Sequence, residues 1–270
     1  MEPRSYSWRA DEGDRELRLV PVAGTGGAPY LFGSGESRHP IEVHDFYMSS
    51  TPVTQALWTH VMGSNPAVHK GPHLPVENVS WEHITQPGGF LDRINAGPIL
   101  PAVSGGDPTL RFRLPSETEW EYAARGGPHW CDGYRFSGSN DLDEVGWYGP
   151  RFTRWRRTLC DVFGWRIGWP LLGRFPKGRP TRTHQVASKK PNQLGLHDMC
   201  GNVWEWCEDV CVDDPAQVPT DGTPWRGPGT DRRLRGGSHQ NWDLHCTVGW
   251  RYGIQPDAHD GCIGFRVVLA

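Results

Sequence analysis

The chain has 270 residues, enough for one large domain or two small ones that bury a hydrophobic core without disulfide staples. Its 34 glycines, 24 prolines and 14 tryptophans, with only 36% apolar residues, argue against a helical bundle and predict a loop-rich domain held by aromatic packing. The net charge of −3 is made of charges of both signs, which leaves no basic footprint for nucleic acid.

The chain opens with predicted strands. Alternating apolar residues at 17–22 predict a strand, and residues 29–34 are predicted to be its hairpin partner after the glycine turn at 24–27. Residues 39–48 give the clearest strand pattern in the chain, because Ile41, Val43 and Asp45 alternate along them with Glu42, His44 and Phe46.

A helix and an extended segment are predicted next. Residues 50–54, which include Ser50, Thr51 and Thr54, supply helix-start chemistry before the amphipathic residues 55–63, and Gly63 predicts the end of that helix. Residues 73–81 are predicted to be extended, since Pro75 biases the residue before it away from helical backbone.

Residues 81–95 carry a second helical pattern, which the Pro-Gly-Gly run at 87–89 is expected to interrupt. Residues 97–109 are rich in proline, glycine and serine. They are therefore predicted to form a loop.

A third helix signal lies in the middle of the chain. Ser116 and Glu119 form a capping box, and Gly126 predicts the helix stop. Residues 128–188 show few regular runs, and within them 151–169 are basic and aromatic. A long irregular region in a compact domain is usually functional or wraps the surface, so we expect one of these roles here.

The final segment, residues 233–270, combines a regular frame with an irregular interior. An Arg-Gly-Gly-Ser turn at 235–238 opens it, and an alternating apolar strand at 263–269 closes it. Between them lie side chains with no helical or strand period: His239, Asn241, Trp242, Asp243, His245, Cys246, Trp250, Tyr252, Gln255, Asp257, His259, Asp260 and Cys262. A rigid frame around such residues predicts a site.

No internal repeat or sharp composition change divides the chain, so we predict one domain over 1–270. Residues 1–12 lack the apolar segment of a signal peptide, and no stretch approaches the roughly 18 apolar residues of a membrane span. Seven cysteines form no even disulfide framework. We expect a reduced, cytoplasmic protein by default, with surface display left open.

Several motifs, taken in order, make the chain similar to one known family. They lie at 45–54, 75–81, 113–127, 192–206, and from 235–238 to 264–266. Together these motifs resemble the formylglycine-generating enzyme (sulfatase-modifying factor) family over nearly the whole chain. The resemblance implies an α+β fold of the C-type lectin-like, formylglycine-generating-enzyme type, loop-rich, with small antiparallel sheets and a few helices.

That fold is known in three uses, and fold alone does not choose among them. Some members oxidise a substrate cysteine to formylglycine with copper, and some partner a three-histidine iron site in ergothioneine-type sulfoxide synthases. Others are the variable ligand-binding proteins of diversity-generating retroelements, whose variation lies in a C-terminal segment framed much as here.

The copper-dependent members hold Cu(I) with two cysteine thiolates after the Arg-Gly-Gly-Ser turn, which suits a soft metal ion. The resemblance places the second of these cysteines on Cys246, but the first falls on Asn241, whose side chain has no sulfur. Cys262 is left as a substitute for the first cysteine, although nothing in its spacing indicates that role. One cysteine without a placed base favours a structural role for Cys246 over a catalytic one.

The resemblance also raises two other metals. Iron would need three converging imidazoles, and His239, His245 and His259 are available, but their spacing favours ordinary surface histidines. Structural calcium would be bound by the side chains of Asp198 and Glu205 and by the backbone carbonyls of Gly201 and Val203. A capped turn with a packed Glu-Trp pair explains that segment equally well.

Tryptophans 120, 204 and 206 lie within framework motifs and are predicted to be core, whereas Trp242, Trp250 and Tyr252 are predicted to be exposed and to bind. Our hypothesis is a binding protein of the retroelement-variable type, with an unknown protein or small-molecule ligand. The predicted contacts are His239, Asn241, Trp242, Asp243, His245, Trp250, Tyr252, Gln255, His259 and Asp260. The alternative is a metal-dependent oxidase of the same family that uses Cys246 with copper or iron.

Overall fold

In a computed structural model of the chain, residues 6–9, 16–35, 38–149 and 182–270 are described. Eleven strands in these ranges form three small sheets: β1 (Tyr6–Arg9), β2 (Glu16–Val22), β3 (Tyr30–Phe32), β4 (His39–Ile41), β5 (Phe46–Ser49), β6 (Phe112–Arg113), β7 (Trp204–Val210), β8 (Arg232–Arg235), β9 (Arg251–Ile254), β10 (Ile263–Gly264) and β11 (Val268–Leu269). The basic, aromatic residues 151–169 lie outside the described residues.

The largest sheet brings the two ends of the chain together. Its order is β1-β2-β5-β11-β6, and β11 pairs antiparallel with both β5 and β6. The second sheet has the order β10-β7-β8-β9, in which β10 is parallel to β7 and the other pairs are antiparallel. This second sheet carries most of the C-terminal segment.

Six short α-helices lie around the sheets in the described ranges: α1 (Gln55–Met62), α2 (Trp81–Thr85), α3 (Phe90–Ala96), α4 (Ile99–Ser104), α5 (Glu117–Ala124) and α6 (Leu142–Val145). The Thr54 hydroxyl accepts the Leu57 N–H and Gly63 ends α1 with φ 79°, as predicted. Ser116 and Glu119 form the predicted capping box of α5. None of the described helices is long and apolar enough to cross a membrane.

Several elements differ from the prediction. Residues 39–48 are not one strand, because the chain between β4 and β5 bonds to loops: Glu42 N–H donates to the Thr220 carbonyl, and Thr25 N–H donates to the Val43 carbonyl. The predicted hairpin partner at 29–34 is β3, but it pairs with β4 and not with β2. The apolar–polar alternation was therefore correct about extended backbone and wrong about pairing.

Two other predicted elements also differ from the structure. The proposed loop 97–109 contains helix α4, since Ile99, Leu100 and Val103 share one buried helical face despite the flanking prolines and glycines. The closing strand 263–269 is divided between two sheets, because β10 pairs with β7 whereas β11 pairs with β5 and β6. The α+β class itself is confirmed.

The core of the described residues forms two hydrophobic clusters. Trp120 and Trp206 are fully buried and Trp204 nearly so, which confirms the prediction that these three tryptophans are core. In the ranges described, six cysteines are free.

Candidate functional site

The turn that opens the C-terminal segment requires its glycines. Gly236 and Gly237 follow β8 with φ of 91° and 74°, which are left-handed values that side chains disfavour. A Cβ on Gly237 would lie 2.7 Å from the Cys246 sulfur and 2.8 Å from the His245 carbonyl oxygen. The turn therefore packs directly on the irregular interior of the segment.

Buried ion pairs attach the segment to helix α5. The Glu117 carboxylate accepts two bonds of 2.7 Å from Arg251 and lies 3.0 Å from Arg233 Nε. Arg235 pairs with Glu121 and also donates to the Val248 carbonyl at 3.0 Å. Burial alone would raise the pKa of Glu117, but the neighbouring guanidinium groups hold it below its usual value.

At the position of the copper pair, the structure shows a hydrogen bond and a buried thiol. The Ser238 hydroxyl donates to Oδ1 of Asn241 at 2.6 Å. Cys246 is fully buried within a hydrophobic cluster, and burial raises the pKa of its thiol well above the ordinary value. This arrangement opposes thiolate formation at Cys246 and supplies no second sulfur from Asn241.

The three histidines considered for iron lie against different partners. His239 contacts His69 with ring centroids 5.4 Å apart, and His259 lies 5.8 Å from His83. The His245 ring lies between two tryptophan rings. Among the residues that the structure describes, no group of three or more metal-ligating side chains is assembled.

Seven of the ten predicted ligand contacts fall into two sets, one buried and one exposed. His239, Trp242 and His245 are buried, and we call them the inner cluster; the expectation that Trp242 is exposed is wrong, since only 8% of it is accessible. Burial lowers the pKa of both His239 and His245 to about 4, so these imidazoles are neutral near pH 7. Asn241, Asp243 and Trp250 are partly buried.

The second set is exposed and consists of Tyr252, Gln255, His259 and Asp260, which we call the outer face. Tyr252 is 47% exposed and its ring lies 5.6 Å from that of Trp204. It projects from β9, a strand that the sequence pattern did not indicate. The Asp260 carbonyl accepts the Asn78 N–H at 2.9 Å, so the backbone under this face is held in place.

The two carboxylates proposed for calcium are engaged with protein groups. Arg266 donates to both oxygens of Glu205 at 2.7 and 2.8 Å, and Trp120 Nε1 donates at 2.6 Å. Asp198 accepts the Ala187 N–H at 2.8 Å, and burial raises the pKa of its carboxyl to about 6. Because Arg266 already supplies the positive charge, this arrangement does not fit Glu205 as a calcium ligand.

The structure also brings together residues that the sequence pattern did not single out. His69, held by the buried Glu77, lies beside His239, and Asn202 binds the backbone of both His184 and His239. Glu77 and Asn202 belong to framework motifs of the chain. The positions of Glu77 and Asn202 within those motifs were the available signal in the sequence. Some of the residues that they contact lie far away in sequence.

Comparisons with known proteins agree with this architecture. Residues 21–270 match the sulfatase-modifying factor enzyme 1-like domain. The chain is 33% identical to the chaperone protein LppX of Paenibacillus barcinonensis over 202 residues, which are 67% of this chain and 68% of LppX. It is 33% identical to the formylglycine-generating enzyme of Streptomyces coelicolor over 218 residues, which are 79% of this chain but only 58% of that enzyme.

Two solved structures extend the comparison. Treponema denticola variable protein 1 superposes with a TM-score of 0.72 at 26% identity, covering 98% of this chain and 99% of that one. PvdO from Pseudomonas aeruginosa gives a TM-score of 0.68 at 18% identity, with 100% and 99% covered, and this likeness concerns the fold alone.

Proposed function

The chain belongs to the sulfatase-modifying factor enzyme 1-like family, and we propose that within this family it is a ligand-binding protein whose contacts lie on the C-terminal segment. Its scaffold is the C-type lectin-like fold of the formylglycine-generating enzymes. The ligand would be a protein or a small molecule held by the outer face.

One observation carries this proposal: only one of the two positions that hold copper in the copper-dependent relatives is a cysteine here, and its thiol is buried. Cu(I) selects soft thiolates, and a pair of them is needed in the copper-dependent relatives. Here Asn241 accepts a hydrogen bond from the Ser238 hydroxyl, and Cys246 is buried with a raised thiol pKa. A binding role needs neither sulfur.

The layout of the segment also supports binding. Its frame is fixed by the glycine turn and by the buried pairs to Glu117 and Glu121, while Tyr252 on β9 and Gln255 in the loop after it are exposed. Substitutions at exposed positions away from such pairs cost little stability. Side chains on the outer face are therefore free to change with the ligand, and an exposed tyrosine supplies large contact area at low entropic cost.

The oxidase alternative is tested by reconstitution with Cu(I). The purified protein, Cys246→Ala and Asn241→Cys would be incubated with Cu(I) and a cysteine-containing peptide, and aldehyde formation would be measured by mass spectrometry. We expect no aldehyde from the unmodified protein. Turnover by the unmodified protein that is lost in Cys246→Ala would refute the proposal.

The retroelement type of binding is tested in the DNA around the gene. We expect a nearby reverse transcriptase gene and an imperfect copy of the final hundred or so bases. Differences between gene and copy should fall at adenines of the template and between codons 239 and 262, and should spare those of 263–266. Their absence would leave a binding protein of fixed specificity, and a neighbouring sulfatase gene would favour the oxidase.

A further inference from the structure

A polar cleft shares no lining residue with the outer face. It has a volume of about 470 Å³ and is lined by two sequence-distant segments, 69–74 and 182–185. Its lining includes Lys70, Arg182 and Thr183 together with three histidines, 69, 73 and 184. A volume of this size matches a small-molecule site.

The histidines of the cleft are held by buried groups behind them. Glu77 Oε1 accepts the backbone N–H of His69 at 2.6 Å and lies 3.2 Å from the ring Nδ1 of His69. Asn202 exchanges two bonds with the His184 backbone, at 3.0 and 3.1 Å. The His184 ring stacks on Trp147 at 3.8 Å with an interplanar angle of 2°. The imidazoles are thus positioned before any ligand arrives.

Apart from His69 Nδ1, which lies 3.2 Å from Glu77 Oε1, two polar atoms in the cleft wall are buried and have no hydrogen-bond partner: the hydroxyl of Thr183, a residue only 1% exposed, and Nδ1 of His184. Leaving such groups unpaired costs free energy, so they indicate a missing ligand atom or ordered water. Thr183 has a hydroxyl to donate, and each neutral imidazole has one N–H.

The charged side chains that line the cleft are cations, and the Glu77 carboxylate lies behind His69. Lys70 and Arg182 are exposed cations of its lining, and no carboxylate occurs among the described lining residues. Burial, and then the Arg182 charge, lower the pKa of His184, which is therefore neutral near pH 7. Two cations at the rim and neutral donors in the wall match an oxyanion, because charge-assisted bonds from Arg and Lys are strong.

We propose that this cleft binds a small molecule through a carboxylate or phosphate group, with Arg182 and Lys70 neutralising its charge and Thr183 donating to one of its oxygens. The proposal goes beyond the C-terminal binding face and does not depend on it. A protein without any ligand on the outer face would still carry this site.

The test is calorimetric titration of the purified full chain with inorganic phosphate and, separately, with citrate. Saturable binding of either is expected, and the tighter of the two identifies the group. Arg182→Gln should weaken binding about tenfold, and Thr183→Val, which keeps the shape and removes the hydroxyl, about fivefold. The matched control is Arg93→Gln, since Arg93 is an exposed arginine on α3 outside the cleft.

Three results would overturn the proposal. The first is that neither anion binds saturably. The second is that Arg93→Gln weakens binding as much as Arg182→Gln does, which would indicate general charge attraction. The third is stoichiometric zinc or copper in the purified protein that disappears in His184→Asn, because the cleft would then be a metal site. Melting temperatures of all variants, within about 2 °C of the parent, show that the folded protein was compared.

Discussion

Replacing Glu205 by glutamine should be among the most destabilising conservative changes in this chain. Glu205 and Arg266 are both fully buried, and the carboxylate accepts two bonds from the guanidinium and one from Trp120. Glu205→Gln keeps the shape but leaves the Arg266 charge without its counter-ion. Removing one partner of a buried pair costs about 3–5 kcal/mol, because the other charge stays desolvated.

The matched control lies on the same strand. Glu208 pairs with Arg226, whose side chain is 67% exposed, so Glu208→Gln should cost less than about 1 kcal/mol. Urea unfolding followed by tryptophan fluorescence gives both values. At about 2–4 °C per kcal/mol, Glu205→Gln should also lower the melting temperature by on the order of 10 °C.

The same experiment decides the calcium question. We expect the melting temperature of the parent to change by less than about 2 °C between EDTA and millimolar Ca²⁺, because Arg266 already neutralises Glu205. A loss below about 1 kcal/mol for Glu205→Gln would refute the buried-pair reasoning. A large Ca²⁺-dependent stabilisation that Glu205→Gln abolishes would instead establish Glu205 as a calcium ligand.

Three other predictions follow from burial, backbone conformation and ionisation. Trp242→Ala should cost about 3–5 kcal/mol and Tyr252→Ala less than about 1 kcal/mol in urea unfolding, since the first ring is 8% exposed and the second 47%. Gly237→Ala should destabilise more than Gly63→Ala: both have positive φ, but only at Gly237 would the new Cβ lie 2.7 Å from a buried sulfur. Burial raises the pKa of Asp209 to about 7, so its contribution to stability is present at low pH and is lost as pH rises from about 4 through 7. Between pH 5 and pH 7 the free energy of unfolding should therefore decrease by on the order of 2 kcal/mol more in the parent than in Asp209→Asn.

Each of these can fail clearly. Equal losses at Trp242 and Tyr252 would show that their difference in exposure does not govern stability. Equal losses at the two glycines would mean that the turn relaxes away from the inner cluster. A pH dependence unchanged in Asp209→Asn would assign the titration to another group.

Local signals predicted much of the framework. The Thr54 cap, the Gly63 stop and the Ser116–Glu119 capping box identified α1 and α5 within a residue of their observed bounds. These signals act between residues three or four apart, and tertiary contacts need not be known to interpret them. Helix α4 was missed because the proline and glycine content of its neighbours outweighed the short apolar face of Ile99 and Val103.

Strand pairing and site assembly were harder to predict. Residues 39–48 alternate along their whole length, yet the chain between β4 and β5 bonds to loops from elsewhere in the fold. His69, His184 and His239 come from three separate segments and are brought together by Glu77 and Asn202. No periodicity within one segment encodes a contact between segments, so the sequence singled out His239 but not His69 or His184.

The sequence by itself determined the scaffold and the lack of a cysteine at position 241. Cap residues, turn glycines and framework motifs act locally, and Asn241 cannot supply a sulfur in any fold. Only the tertiary structure decided which C-terminal side chains face solvent, since Trp242 is buried and Tyr252 exposed although both are large aromatic residues. The reason is physical: residue type sets what a side chain can do, but burial and partners depend on packing between segments far apart in the chain.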